Sequence, residues 1–167
     1  STHKILGAMT QCSMLHVQGQ RLCVERAADV MSVLTTTSPN YLLMASLDAA
    51  RAQVQVRGKE MAEAAVGAAN KLCAICSKYV GLKLLTEADC GGLKLDATKV
   101  AVNFAEWGYT GIEAGELFRK AGIAVELVDA QNVLFLVTYA DVTEDYHKAL
   151  VKIDKVLAQM KQGKKSK

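Results

Sequence analysis

A change of period near Asp89-Cys90-Gly91-Gly92 constrains the fold more than any other feature of this 167-residue sequence. Before it, apolar residues recur mainly at helical spacing; after it, they first alternate. Lys99 to Phe104 puts Val100, Val102 and Phe104 on one face, the period of a half-buried strand. Thr110-Gly111-Ile112-Glu113 has the spacing of a capping box and predicts a helix to about Ala121, with Gly122 as its stop. Ala124 to Val128 predicts a strand, Ala130-Gln131-Asn132 a turn, and Val133 to Tyr139 a fully buried strand. Asp141 to Glu144 can cap a last helix, where Tyr146, Ala149, Leu150, Ile153, Val156, Leu157 and Met160 form one stripe. The order β-α-β-β-α predicts a small open sheet with helices on one face, able to fold alone.

The first half is less self-contained. Met9 to Val17 is apolar with few breaks and predicts a short buried strand, closed by Gly19. Leu22, Val24, Ala27, Ala28, Met31 and Leu34 favour a helix that ends at Thr35-Thr36-Thr37. Ser38 before Pro39 predicts the next helix start, a hydroxyl N-cap followed by a proline whose missing N–H costs nothing there. That helix runs to about Val56. Gly58 marks a bend or weak point, and Lys59 to Val80 continues at helical spacing through Met61, Ala65, Ala68, Leu72, Ile75 and Tyr79.

Composition excludes several classes. A net charge of +3 is too small to argue for a nucleic-acid partner. The local excess, residues 161–167, reads as a basic disordered tail. Five cysteines, odd in number and in apolar contexts, suggest free thiols and a reducing cytoplasm. The apolar runs are too short to span a bilayer. Cys73-Ala74-Ile75-Cys76 lacks the second ligand pair of a structural zinc site and falls late in a helical pattern, so packing thiols are expected rather than redox or metal chemistry. His16 reads as a core or interface histidine, His147 as surface. Trp107-Gly108-Tyr109-Thr110-Gly111 does not meet the phosphate-loop pattern and reads as structural. Glu126 and Asp129 read as a charged rim.

The remaining feature is Ser1-Thr2-His3-Lys4. A lysine framed by a hydroxyl and an imidazole is either an ordinary exposed residue or an amine held at a cofactor aldehyde. Lysine suits the second role because its amine, once desolvated, readily loses its proton and attacks a carbonyl. This segment, followed by Thr10-Gln11-Cys12-Ser13-Met14-Leu15-His16-Val17, resembles the cofactor-lysine segment of the bacterial ornithine/lysine/arginine decarboxylases. The resemblance continues in order through Thr35 to Pro39, Ala45 to Asp48, Asp96 to Val100, Gly122 to Glu126 and Asn132 to Leu136.

The resemblance implies an α/β chain: residues 1–90 as the end of a fold-type-I large domain, residues 91–160 as a small C-terminal domain. It implies pyridoxal phosphate as cofactor, Lys4 as the Schiff-base lysine, and Ser1, His3 and Thr36 as groups that help hold the phosphate. Thr37 and Ser38 are weaker candidates, each with a capping role to fill. The substrate it implies is a basic amino acid, arginine first, then lysine or ornithine, in a homodimer or higher oligomer. The family's aspartate for the pyridine nitrogen and its ring-stacking histidine precede the lysine and have no counterpart here. Gly7 also stands where the family often has proline. The chain is therefore expected to be part of a larger polypeptide and inactive alone. The alternative from another class is a non-catalytic dimerisation or regulatory module, with Lys4 incidental; a third reading, a thiol redox protein, predicts a Cys73–Cys76 disulfide on mild oxidation.

Overall fold

The change of period resolves into a four-stranded antiparallel sheet in the computed structural model, which describes residues 2–163. Its strands are β1 (Lys83–Leu84), β2 (Lys99–Asn103), β3 (Leu127–Val128) and β4 (Asn132–Leu136), in the order β1-β2-β4-β3. The long pairing, β2 with β4, sets Val100 against Phe135 and Val102 against Val133. Those four side chains are buried, while Lys99, Ala101 and Asn103 alternate to the other face. The fold class, mixed helix and sheet, is as expected, and β1 is an edge strand that the sequence does not announce. The strands before and after the turn are shorter than their apolar runs. Val133 to Tyr139 yields a strand only to Leu136, because Thr138 and Asp141 close a reciprocal capping box on the 3₁₀ turn Tyr139–Asp141.

Among the described residues five α-helices accompany the sheet: α1 (Thr2–Ile5), α2 (Val24–Leu34), α3 (Tyr41–Ser77), α4 (Gly111–Lys120) and α5 (Glu144–Gln162). The Thr110–Glu113 capping box opens α4 as the spacing predicts, and Gly122 follows its end at φ 77°. Thr143 caps α5, whose Leu150, Ile153, Val156, Leu157 and Met160 are buried. Lys161 and Gln162 continue this helix rather than beginning a disordered tail. The Lys161 ammonium lies 5.9 Å from the centre of the Tyr79 ring, and a cation suits the negative end of the helix. Residues 164–167 lie outside the described residues.

Packing divides the chain into two compact units, residues 1–58 and 59–167. The core of the second joins Val100, Val102, Val133 and Phe135 to Phe118 of α4, Leu157 of α5, and Ala69, Leu72 and Cys76 of α3. Phe104, Phe118 and Phe135 meet edge to face at 5.2–6.3 Å, together with Trp107, a favoured ring geometry. The second unit therefore starts upstream of the Asp89–Gly92 turn, because the last turns of α3 supply part of its core. Cys73 and Cys76 lie one turn apart there. Burial raises both thiols, that of Cys76 to about 12, so neither is poised as a thiolate.

The first unit departs most from expectation. Met9 to Val17 is not a strand: Gly7 and Gln11 have left-handed backbones (φ 73° and 79°), and the Cys12 carbonyl is bonded back to His3. His16 is consequently exposed in a loop rather than buried in a sheet. Helix α3 begins two residues beyond Pro39. Asn40, not Ser38, caps it, accepting from the N–H groups of Leu42 (3.0 Å) and Leu43 (3.3 Å). Gly58 is neither a break nor a bend in the secondary structure, since α3 continues through it to Ser77.

Candidate active site

Lys4 stands on the single turn of α1, with its side chain exposed, and the rest of this turn is tied down. Thr2 beneath it is buried, and its carbonyl accepts from Leu6 N–H at 2.9 Å. His3 makes two bonds to one acceptor: its backbone N–H lies 3.1 Å and its Nδ1 2.9 Å from the Cys12 carbonyl oxygen. A carbonyl only accepts, so Nδ1 carries a proton. The other ring nitrogen, Nε2, then donates a hydrogen bond only when the ring is an imidazolium.

The segment that receives these bonds is itself fixed to α3. Met9 N–H donates to Ser46 Oγ at 2.6 Å, and the Cys12 thiol donates to the Leu43 carbonyl at 3.3 Å. Ala8, Cys12 and Ala50 form a small buried cluster, with Leu43 and Leu47 packed against it. Leu43, Ser46, Leu47 and Ala50 follow i, i+3, i+4, i+7 spacing, so one face of α3 makes every one of these contacts.

The other expected site residues are placed differently. Thr36 is exposed in the turn after α2, where its Oγ accepts from Ser38 N–H at 3.1 Å; that bond ties it to its own turn, not to α1. Ser1 lies outside the described residues. Thr37 is exposed and Ser38 precedes the true cap of α3. Sequence reasoning missed Ser46 and Cys12 as parts of the site, although each lies in a stretch that carries the resemblance.

A cavity of about 850 Å³ lies along β1 and β2, lined by Lys83, Thr86, Asp89, Asn103, Glu106 and Gln131 among others. Its polar groups are largely engaged with one another. Asp89 accepts from the hydroxyl and N–H of Thr86, bonds that hold its carboxyl below the usual range, and Asn103 Nδ2 donates to Asn132 Oδ1 at 2.8 Å. None of the residues singled out by chemistry lines it. The amine on α1 is the stronger candidate because it presents a nucleophile on a fixed turn.

Residues 1–89 match the family model described as "Orn/Lys/Arg decarboxylase, major domain". The chain belongs to this decarboxylase family. It is 30% identical to an arginine decarboxylase of Bacillus subtilis (strain 168) over 164 residues, which cover 96% of this chain and 34% of that protein. It is 36% identical to an arginine decarboxylase of Halalkalibacterium halodurans over 166 residues, 96% of this chain and 33% of that one. The chain thus spans about a third of the length of these decarboxylase relatives. The solved structure of the E. coli constitutive lysine decarboxylase superposes on 97% of this chain and 28% of its own length, with a TM-score of 0.57 at 20% identity. That likeness supports the α/β fold.

Proposed function

We propose that this chain supplies the cofactor lysine of a pyridoxal-phosphate-dependent decarboxylase acting on a basic amino acid, arginine first, then lysine or ornithine. The observation that carries this reading is the exposed Lys4 amine on a turn pinned through His3, in a chain of this family aligned over nearly its whole length with arginine decarboxylases. The donor set fits the cofactor. A primary amine suits an aldehyde, and imidazole and hydroxyl donors suit a phosphate. Lys4 would hold the aldehyde end, and Ser1, His3 and Thr36 the phosphate. When bound, the cofactor supplies the electron sink for loss of carbon dioxide.

The chain's own contribution is placement and proton control. The Lys4 amine attacks a carbonyl only in its unprotonated form. With Nδ1 of His3 committed to the Cys12 carbonyl, the ring meets a phosphate by donating from Nε2 as a cation, which adds charge to the hydrogen bond. Thr36 accepts from Ser38 N–H and so has its hydroxyl proton to donate elsewhere.

The partners in this reading are the basic amino-acid substrate, upstream chain that brings the aspartate and stacking histidine, and a second copy in a homodimer or higher oligomer. Helix α2 has no buried residue, and Val24, Val30, Val33 and Leu34 are exposed on it, an apolar surface of the kind that assembly covers. Among the described residues no helix is long and apolar enough to cross a membrane; a cytoplasmic location is part of the proposal. Residues 1–90 would end the large domain and residues 91–160 form the small one.

Borohydride reduction of the full-length protein with pyridoxal phosphate, followed by peptide mapping, tests this directly. The expected result is a reduced adduct confined to Lys4, with carbon dioxide released from one of the three substrates before reduction and none after Lys4→Ala. A folded protein with no adduct at Lys4 would sink the reading.

A further inference from the structure

Lysine has a long, flexible stem, so the region an exposed lysine amine can reach is set by the backbone that carries it. Lys4 is exposed, and the backbone beneath it is held from a distance. The Cys12 carbonyl takes two bonds from His3, the residue next to Lys4. Cys12 in turn is 3% exposed, packs on Ala50, and donates its thiol proton to Leu43 on α3. Three residues back, Met9 N–H ends on Ser46 Oγ. A serine inside a helix ordinarily turns its hydroxyl to solvent or to the carbonyl one turn earlier. The Ser46 oxygen also accepts from a backbone group 37 residues away in sequence. The two attachment points bracket the turn at Thr10 and Gln11, and both stand on the same face of α3.

We propose that Ser46 and Cys12 are positioning residues for the Lys4 amine, acting through Met9, the Cys12 carbonyl and His3 to fix where α1 stands on the first turns of α3. The inference rests on the reading of Lys4 as the cofactor lysine, and it adds two residues to which no chemical role attaches. Without the Ser46 bond the Met9–Cys12 segment loses one of its two anchors, and α1 moves with it. Small misplacements matter for a reacting group: about 1 Å can cost on the order of a hundredfold in rate.

The test is made on the full-length protein with Ser46→Ala, Cys12→Ala and the conservative pair Ser46→Thr and Cys12→Ser, which keep a hydroxyl acceptor at 46 and put a hydroxyl donor in place of the thiol at 12. Two quantities are read below the unfolding temperature, with circular dichroism as the check on folding. The first, without cofactor, is competitive acetylation of Lys4 relative to Lys59. The second is the rate at which pyridoxal phosphate is trapped on Lys4 by borohydride. Loss of an anchor is expected to change Lys4 acetylation relative to that of Lys59 and to slow trapping by about tenfold; the conservative variants recover both. A general structural role would lower stability without moving the relative acetylation. If Cys12→Ala fails to fold, Ser46→Ala, which alters a half-buried helix position, still decides the matter. Folded Ser46→Ala protein with unchanged acetylation and unchanged trapping overturns the inference and leaves Lys4 as the cofactor lysine. Altered acetylation in a protein that traps no cofactor on Lys4 supports the anchoring and overturns the cofactor reading instead.

Discussion

At Gly111 the space for a side chain is absent. A Cβ built there would stand 2.2 Å from the Asn132 carbonyl oxygen and 2.5 Å from that of Asp129, both backbone atoms that cannot swing away. Gly111→Ala is expected to lose about 3 kcal/mol in a urea titration, the upper range for forced overpacking; a loss below about 1 kcal/mol would show that the Asp129–Asn132 turn yields. Asp96 makes a prediction about pH. Burial, the largest single influence, pushes its carboxyl up, but hydrogen bonds from Lys99 and Thr98 outweigh it and hold the carboxyl at about 2. A depressed carboxyl stabilises the fold above its unfolded value and loses that contribution as pH falls through the folded one. The side chain is 44% exposed, so screening leaves at most about 1 kcal/mol, lost between roughly pH 4 and pH 2. Asp96→Asn should flatten that part of the stability profile. The Thr110–Glu113 cap was legible in the sequence because its partners are three residues apart. The crowding at Gly111 was not, since it arises from a turn twenty residues later.

Among the elements, α3 separates what the sequence could tell from what it could not. Its apolar spacing on either side of Gly58 was readable, and its continuity was not, because one glycine weakens a helix without deciding whether it breaks. A Cβ at Gly58 would meet only the side chain of Val54, its Cγ1 at 3.0 Å and its Cβ at 3.8 Å, so the methyl needs to give by a few tenths of an ångström. Gly58→Ala should therefore stabilise α3 by somewhat under about 1 kcal/mol, seen as a higher thermal midpoint; a lower midpoint would mean that Val54 cannot give. The Met9–Val17 segment failed for a different reason. Its apolar run is consistent with a strand, but its backbone groups are taken by α1 and α3, which a local window does not contain. The candidate site followed the same division. Lys4 and His3 stand out by residue chemistry and by resemblance, whereas Ser46 looks in sequence like any other serine on a helix.

Over the whole molecule, the two compact units differ in how much core they own. The first has Ala8, Cys12 and Ala50, with Leu43 and Leu47 beside them; the second buries Phe104, Trp107, Phe118 and Phe135 with ten leucine, isoleucine and valine side chains, among them Leu72, Val102 and Leu157, in one cluster. A unit with so little apolar burial sits at the low end of local stability. The chain's one tryptophan, Trp107, is buried in the larger core, edge-on to Tyr79 and Phe104, with its indole N–H bonded to the Val80 carbonyl at 3.0 Å. Its fluorescence is therefore a private signal of that core, while far-ultraviolet ellipticity sums the helices of both units. In a denaturant titration the ellipticity is expected to begin falling while the emission maximum is still that of a shielded indole. Superimposed curves would instead mean that the chain melts as one cooperative body. A single buried ring thus turns two routine optical traces into a measure of how independently the lysine-bearing unit opens.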